Sequence, residues 1–156
     1  MTKAFVAAAP LLLLLSAARA WSAEPLVGRW LLKSQEVGGN QTDTDPLTLR
    51  ITQKGNTFEF AYSLPVNNIQ FVSMSFSPLL DGTEADVKNS QGNKIGTVTV
   101  TKAGGSLYKI VLQGANRPTA VGTMAVSSDG KTLSCDSDAN VPGKGPTHTH
   151  QVFSRQ

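Results

Sequence analysis

His148 and His150 stand two residues apart near the end of the sequence, and Cys135 is the one cysteine among 156 residues. Side chains two apart on a strand point to the same side, so the two imidazoles can chelate a transition metal. A hairpin around Pro142-Gly143-Lys144-Gly145-Pro146 that set Cys135 opposite His150 would complete a soft site suited to Zn or Cu. The same pair also reads as nucleophile and base, the arrangement that activates a thiolate. No oxyanion hole and no orienting third group can be identified around it. Threonines and histidines alternating on a surface strand are more often plain solvated positions, and an unpartnered cysteine is more often packed or idle. The expectation is therefore no catalytic residues, no cofactor and no resident metal, with His148, His150 and Cys135 as the one metal-binding alternative.

The carboxylates form no acid–base pair by this reading. Asp43, Asp45, Asp81, Asp129 and Asp138 are expected in or beside turns, bonded to local backbone, and Glu59 on an outward strand position. Gly104-Gly105 and Gly143-Lys144-Gly145 lack the strand-to-helix setting of a phosphate cradle and read as turns. Asn40-Gln41-Thr42 fits a glycosylation sequon and is taken as chance.

A second set of residues offers shape in place of reactivity. Trp30, Phe58, Phe60, Tyr62, Phe71, Met74, Phe76, Tyr108 and Met124 could face inward and surround a small apolar ligand, or could simply fill the interior.

The elements that must position these residues read as strands. From Gly28 onward, β-branched and aromatic residues recur with period-two alternation between clusters of Gly, Asn, Asp, Pro and Ser. Ten candidates follow: 28–37, 47–52, 57–62, 69–77, 85–89, 95–101, 107–113, 119–127, 132–136 and 147–154. Asp81-Gly82, Gly92-Asn93, Gly104-Gly105 and Asp129-Gly130 supply turn residues that tolerate positive φ, and short connections imply antiparallel neighbours. The segment Ile69 to Ser77 is apolar on both alternations, so its facing is open, because a slip of one residue reverses every side chain. The polar stretch Ser34 to Pro46 is the longest irregular piece and could lie across one barrel mouth. No sustained helical period follows residue 20. The expected fold is all-β, a single antiparallel up-and-down barrel of 8–10 strands, since closure removes exposed edges.

Composition narrows the setting. Lys3, the apolar run Ala4 to Leu15 and the small residues of Ala18-Arg19-Ala20 make residues 1–20 a secretory signal peptide with a cut before Trp21. Residues 21–27 are then an N-terminal lead-in and 28–156 the barrel domain. The apolar run is too short to span a bilayer, which needs roughly 20 apolar residues. Taking 20 from 156 leaves 136 residues, the size of one domain. Lys3 and Arg19 depart with the signal, so 12 basic residues face 11 acidic ones, a balance that excludes an electrostatic footprint for nucleic acid or an anionic membrane. With one cysteine, no intramolecular disulfide can form and the fold stands on its core.

Gly28-Arg29-Trp30, continuing into Leu31-Leu32-Lys33-Ser34, resembles the Gly-x-Trp opening of lipocalins and their calycin relatives. Together with Asp129-Gly130-Lys131-Thr132-Leu133 and the ending Val152-Phe153-Ser154-Arg155-Gln156, the chain is similar to small secreted bacterial lipocalin-like proteins of unassigned function. The resemblance implies a barrel closed by an indole at one end, with Arg155 over Trp30, and a bacterial periplasmic or extracellular location. The helix that follows the last strand in true lipocalins is missing here. Avidins share the opening, but their biotin pocket is walled by several tryptophans and Trp30 stands alone in this domain, so biotin is not expected.

Two functions follow from different classes. One is an exported, non-enzymatic barrel that binds or carries a small apolar ligand, with Trp30, Phe58, Phe60, Tyr62, Phe71, Met74, Tyr108 and Met124 as interior contacts. The other is a packed structural or protein-interaction module without internal ligand. A weak transition-metal binder through His148 and His150 is the third possibility. Neither nucleic acid nor membrane insertion of the mature chain is expected.

Overall fold

Asn67 and Asn68 both adopt positive φ, 51° and 65°, and join two strands with nothing else between them. Such a two-residue turn matches the right-handed twist of its flanking strands, which explains why short polar dipeptides pin the register of this chain. The computed structural model describes residues 23–115 and 117–156, so the signal assigned to residues 1–20 and the cut before Trp21 lie outside the described residues. All regular structure among the described residues is β.

The strands are β1 (Gly28–Val37), β2 (Asn40–Thr42), β3 (Thr48–Lys54), β4 (Thr57–Val66), β5 (Ile69–Phe76), β6 (Ala85–Asn89), β7 (Lys94–Gly104), β8 (Leu107–Gly114), β9 (Arg117–Val126), β10 (Thr132–Val141) and β11 (Gly145–Arg155). From β3 to β11 each strand pairs antiparallel with the next, and β11 returns to pair with β1. One edge of β1 is shared: β3 covers Gly28 to Leu31 and the short β2 covers Gln35 to Val37. Ten strands therefore run round the ring, closed without an open sheet edge at the β1–β11 seam.

The stretch Ser34 to Pro46, expected as a loop, is a correction: Ser34 to Val37 prolong β1, and Asn40 to Thr42 turn back on it. The expected end of the ninth segment at Asp136 also moves, because β10 runs on to Val141 before the Pro142-Gly143-Lys144 turn.

Two bulges decide which side chains point inward. On β5, Ser73 is the extra residue: Tyr62 opposes Met74, but Ser63 opposes Val72. Phe71 and Met74 thus share the inner face although they are three apart, which plain alternation forbids. On β1, Lys33 is extra, with Leu32 opposite Phe153 and Ser34 opposite Val152, so the inner face passes from Leu32 to Gln35. Glycine at Gly122 has a steric reason, since a Cβ there would collide with the Asp136 backbone oxygen on β10.

The core occupies one end of the ring. Trp30, Leu32, Leu49, Ile51, Phe58, Phe60, Phe76, Val87, Val98, Val100, Tyr108, Met124, Val126, Leu133 and Phe153 are buried. They come from the first residues of β1, β4, β8 and β10, the last of β5, β9 and β11, and from β3, β6 and β7, which up-and-down topology brings together. Phe60 stacks on Phe76 with centroids 4.9 Å apart.

Candidate functional site

The packed end is closed by the lead-in before β1. Glu24 to Val27 make one turn, with the Val27 amide donating to the Glu24 carbonyl at 2.9 Å, and push Leu26 into the barrel, where it is fully buried. Trp30 Nε1 donates to the Leu26 carbonyl at 2.9 Å, so the indole is 0% exposed yet satisfied. The Tyr108 hydroxyl donates to Glu24 Oε2 at 2.9 Å, and Lys102 Nζ pairs with Glu24 Oε1 at 2.5 Å. Burial, then the Glu24 carboxylate, raises the Tyr108 pKa above the ordinary tyrosine value.

Arg155 does what the resemblance implied. Its guanidinium lies 4.2 Å from the Trp30 ring centroid, a cation–π contact. Nε donates to Gly130 O at 2.5 Å, Nη1 to Val27 O at 2.7 Å and Nη2 to Pro25 O at 2.7 Å. A side chain on Gly28 would strike this guanidinium, which is the local reason for the Gly-x-Trp spacing. One cation therefore ties the lead-in, the β9–β10 turn and the final strand together.

The opposite end is different. By register, Tyr62, Leu64, Met74, Ile110, Leu112, Cys135, Ser137, Gln151 and Gln35 all face the barrel axis. Each is only partly buried. Inward side chains that retain accessible surface are not packed over on their axial side, so the half of the barrel above the level of Phe60 and Phe153, the hollow half, is the less completely filled one. At the rim, Val66, Ile69 and Phe71 are 53%, 71% and 52% exposed. The wall is incomplete beside them: β6 meets β5 only from Met74 to Phe76, and among the described residues no strand pairs with Ile69 to Ser73 on that side.

The interior residues expected from sequence divide between these two ends. Trp30, Phe58, Phe60, Tyr108 and Met124 are buried filling at the closed end. Tyr62 and Met74 line the hollow half, and Phe71 sits on the inner face at its mouth. Burial pushes the Tyr62 phenol well above its usual range, with the Cys135 thiol adding to the effect. Gln35, Thr42, Ser137 and Gln151 were missed. Their signal was parity with Leu133 and Phe153, obscured on β1 by the Lys33 bulge.

The proposed metal triad does not assemble. Cys135 pairs with Gln151 and faces inward, whereas His150 pairs with Asp136 and faces out. Cys135 is no activated nucleophile either, because burial and then Asp136 push its thiol up to about 12. Outside, His150 Nδ1 lies 2.7 Å from Asp136 and His148 Nδ1 lies 2.9 Å from Asp138. The hydrogen bond to Asp138 raises the His148 pKa. Asp138, expected at a turn, is thus a mid-strand partner of His148. Asp81 and Asp129 do hold turns: Asp81 accepts from the Thr83 amide, and Asp129 from the Ser127 hydroxyl and then the Lys131 amide, which lowers both pKa values. Among the described residues no group of three or more His, Cys, Asp or Glu side chains is placed to hold a metal ion. A shallow recess lined by Thr52, Lys54, Thr57, Glu59 and Ser77 lies on the outside of the barrel and has no connection to the hollow half.

These features define the class: a closed antiparallel up-and-down β-barrel, stoppered at one end. Two solved structures share it. The zebrafish ileal bile acid-binding protein, complexed with cholic acid, is 20% identical over 85% of this chain and 99% of that one, with a TM-score of 0.57. Lipid binding protein 8 of Caenorhabditis elegans, in its apo form, is 14% identical over 86% of this chain and 98% of that one, with a TM-score of 0.59. No protein-family profile and no curated protein sequence matches the chain.

Proposed function

We propose that this protein is an exported, non-enzymatic carrier that holds a small, mostly apolar molecule in the open half of its barrel. The observation that carries the reading is the incomplete burial of Tyr62, Leu64, Met74, Ile110 and Leu112, all inward by register. A barrel evolved only for stability would close over such side chains, because each leaves apolar area in water at about 25 cal/mol per Å². The partnerless stretch of β5, with Ile69 and Phe71 beside it, offers an apolar way in. Bile acid and lipid binding by proteins of the same fold agrees with cargo of this kind. The signal read at residues 1–20 supports export, to a bacterial periplasm or beyond.

The neutral, environment-sensitive dye Nile red tests it. Saturable binding at one dye per chain is expected, with a blue-shifted emission. Ser137→Trp, which projects an indole into the hollow half, should abolish binding while leaving the fold intact by circular dichroism. Absence of saturable binding to the wild-type protein would reject the carrier reading. Fractionation of the native host, with the protein retained in the cytoplasm, would reject export.

A further inference from the structure

The two sides of the hollow half differ in chemistry. Across β4, β5 and β8 the inner wall is Tyr62, Leu64, Met74, Ile110 and Leu112. Across β10, β11, β1 and β2 it is Cys135, Ser137, Gln151, Gln35 and Thr42. On that second wall the amides are already ordered: Gln151 Nε2 donates to Gln35 Oε1 at 2.6 Å, and Gln35 Nε2 donates to Thr42 Oγ1 at 3.1 Å. Gln151 Oε1 has no partner among the described residues, and it is not a buried, unsatisfied atom, so it looks onto the open space. Each amide also keeps one N–H beyond those bonds.

Every group on this wall is neutral, and the charges of the same strands stand behind it. Glu36, Asp136 and Asp138 alternate with Gln35, Cys135 and Ser137 and take the outer face. Their negative field reaches the lumen side, since Asp136 contributes to the rise of the Cys135 pKa. An anionic head group brought to the amides would lose hydration and meet carboxylates a strand's thickness away.

We infer that the cargo is uncharged and carries a hydroxyl, amide or ester group, which the Gln35–Gln151–Thr42 chain binds while the apolar body lies on the Tyr62–Leu112 side. A donor and acceptor array of this kind favours a hydroxyl over an analogue that cannot answer it, because the amide atoms would otherwise be left unpaired. The inference rests on the carrier reading and narrows it to neutral amphiphiles.

Competition against bound Nile red separates the two. At pH 7.5 and below micellar concentration, 1-decanol should displace the dye at roughly tenfold lower concentration than decanoate or decyltrimethylammonium, the order set by the cost of burying an unpaired charge. Acidifying until decanoate is protonated should bring it close to the alcohol. In the folded Gln35→Leu/Gln151→Leu variant the ratio of decanol to decane affinity should fall towards one, and Gln151→Arg should turn the order of decanol and decanoate in favour of decanoate. Equal or tighter binding of decanoate or of the cation by the wild type overturns this inference and leaves the carrier reading standing. An unchanged ratio in the folded double variant likewise overturns it, and failure of Nile red to bind at all removes both.

Discussion

Two halves of one barrel, built from the same strands, treat aromatic residues in opposite ways. At the closed end Trp30, Phe60 and Tyr108 are buried, and the polar atom of each ring that has one is hydrogen-bonded. At the open end Tyr62 and Phe71 face the axis as well, yet keep accessible surface. The alternation of apolar residues is shared by both ends. What separates them is a plug: the closed end receives Leu26 from outside the strand pattern, and the open end receives nothing comparable among the described residues. Stability is thereby concentrated in one half and space in the other.

Paired substitutions probe that division directly. Trp30→Ala should cost about 3–5 kcal/mol in urea unfolding, because the cavity it leaves is enclosed by Leu26 and Arg155 and cannot collapse. Arg155→Met, which preserves a stem over the indole but deserts three carbonyls, should cost about 2 kcal/mol. Tyr62→Ala should cost roughly 1 kcal/mol, since it enlarges a space that already exists; its larger effect should be on dye affinity. A Tyr62 variant as damaging as the Trp30 one would mean that the upper half is filled.

Two weaker pH effects extend the comparison from the ends to the faces. Inside, the Cys135 thiol titrates near 12 when folded against 9.0 when unfolded, so above pH 9 the unfolded chain releases a proton that the native chain holds. Stability should fall between pH 9 and 12, and Cys135→Ala should remove that part of the slope in denaturation measured across the range. Outside, His148 has its pKa raised by Asp138, so its contribution is complete below the unfolded histidine value and is lost as pH rises through the folded one. Asp138→Asn should lower the His148 pKa in an NMR titration, with little change in Tm, because both side chains are solvent-exposed. A large loss of Tm would show that this ion pair matters to the seam.

Fold class was legible because turn chemistry and period-two patterning are local. Gly92-Asn93, Gly104-Gly105 and Asp129-Gly130 marked hairpins that are present, and Gly28-x-Trp30 with Arg155 located the closed end. The site was less legible for a physical reason: one inserted residue on β1 and one on β5 shift the inner face, and nothing at Lys33 or Ser73 announces a bulge. Gln35 was therefore hidden, and the facing of Ile69 to Ser77 stayed open although Phe71 and Met74 were both named as interior contacts. Cross-strand partners were equally out of reach, since the turn at Pro142 leaves the register of β11 undetermined until Cys135 is seen opposite Gln151.

The turn made by Glu24 to Val27 also sets a limit on trimming from the N-terminal side. Pro25 and Val27 supply carbonyls to Arg155, and Glu24 holds Tyr108 and Lys102, so a protease that trimmed past Ala23 would uncork the barrel at its base. Any cut in the polypeptide is compatible with this base only upstream of Glu24, and an affinity tag should join the polypeptide no closer than that.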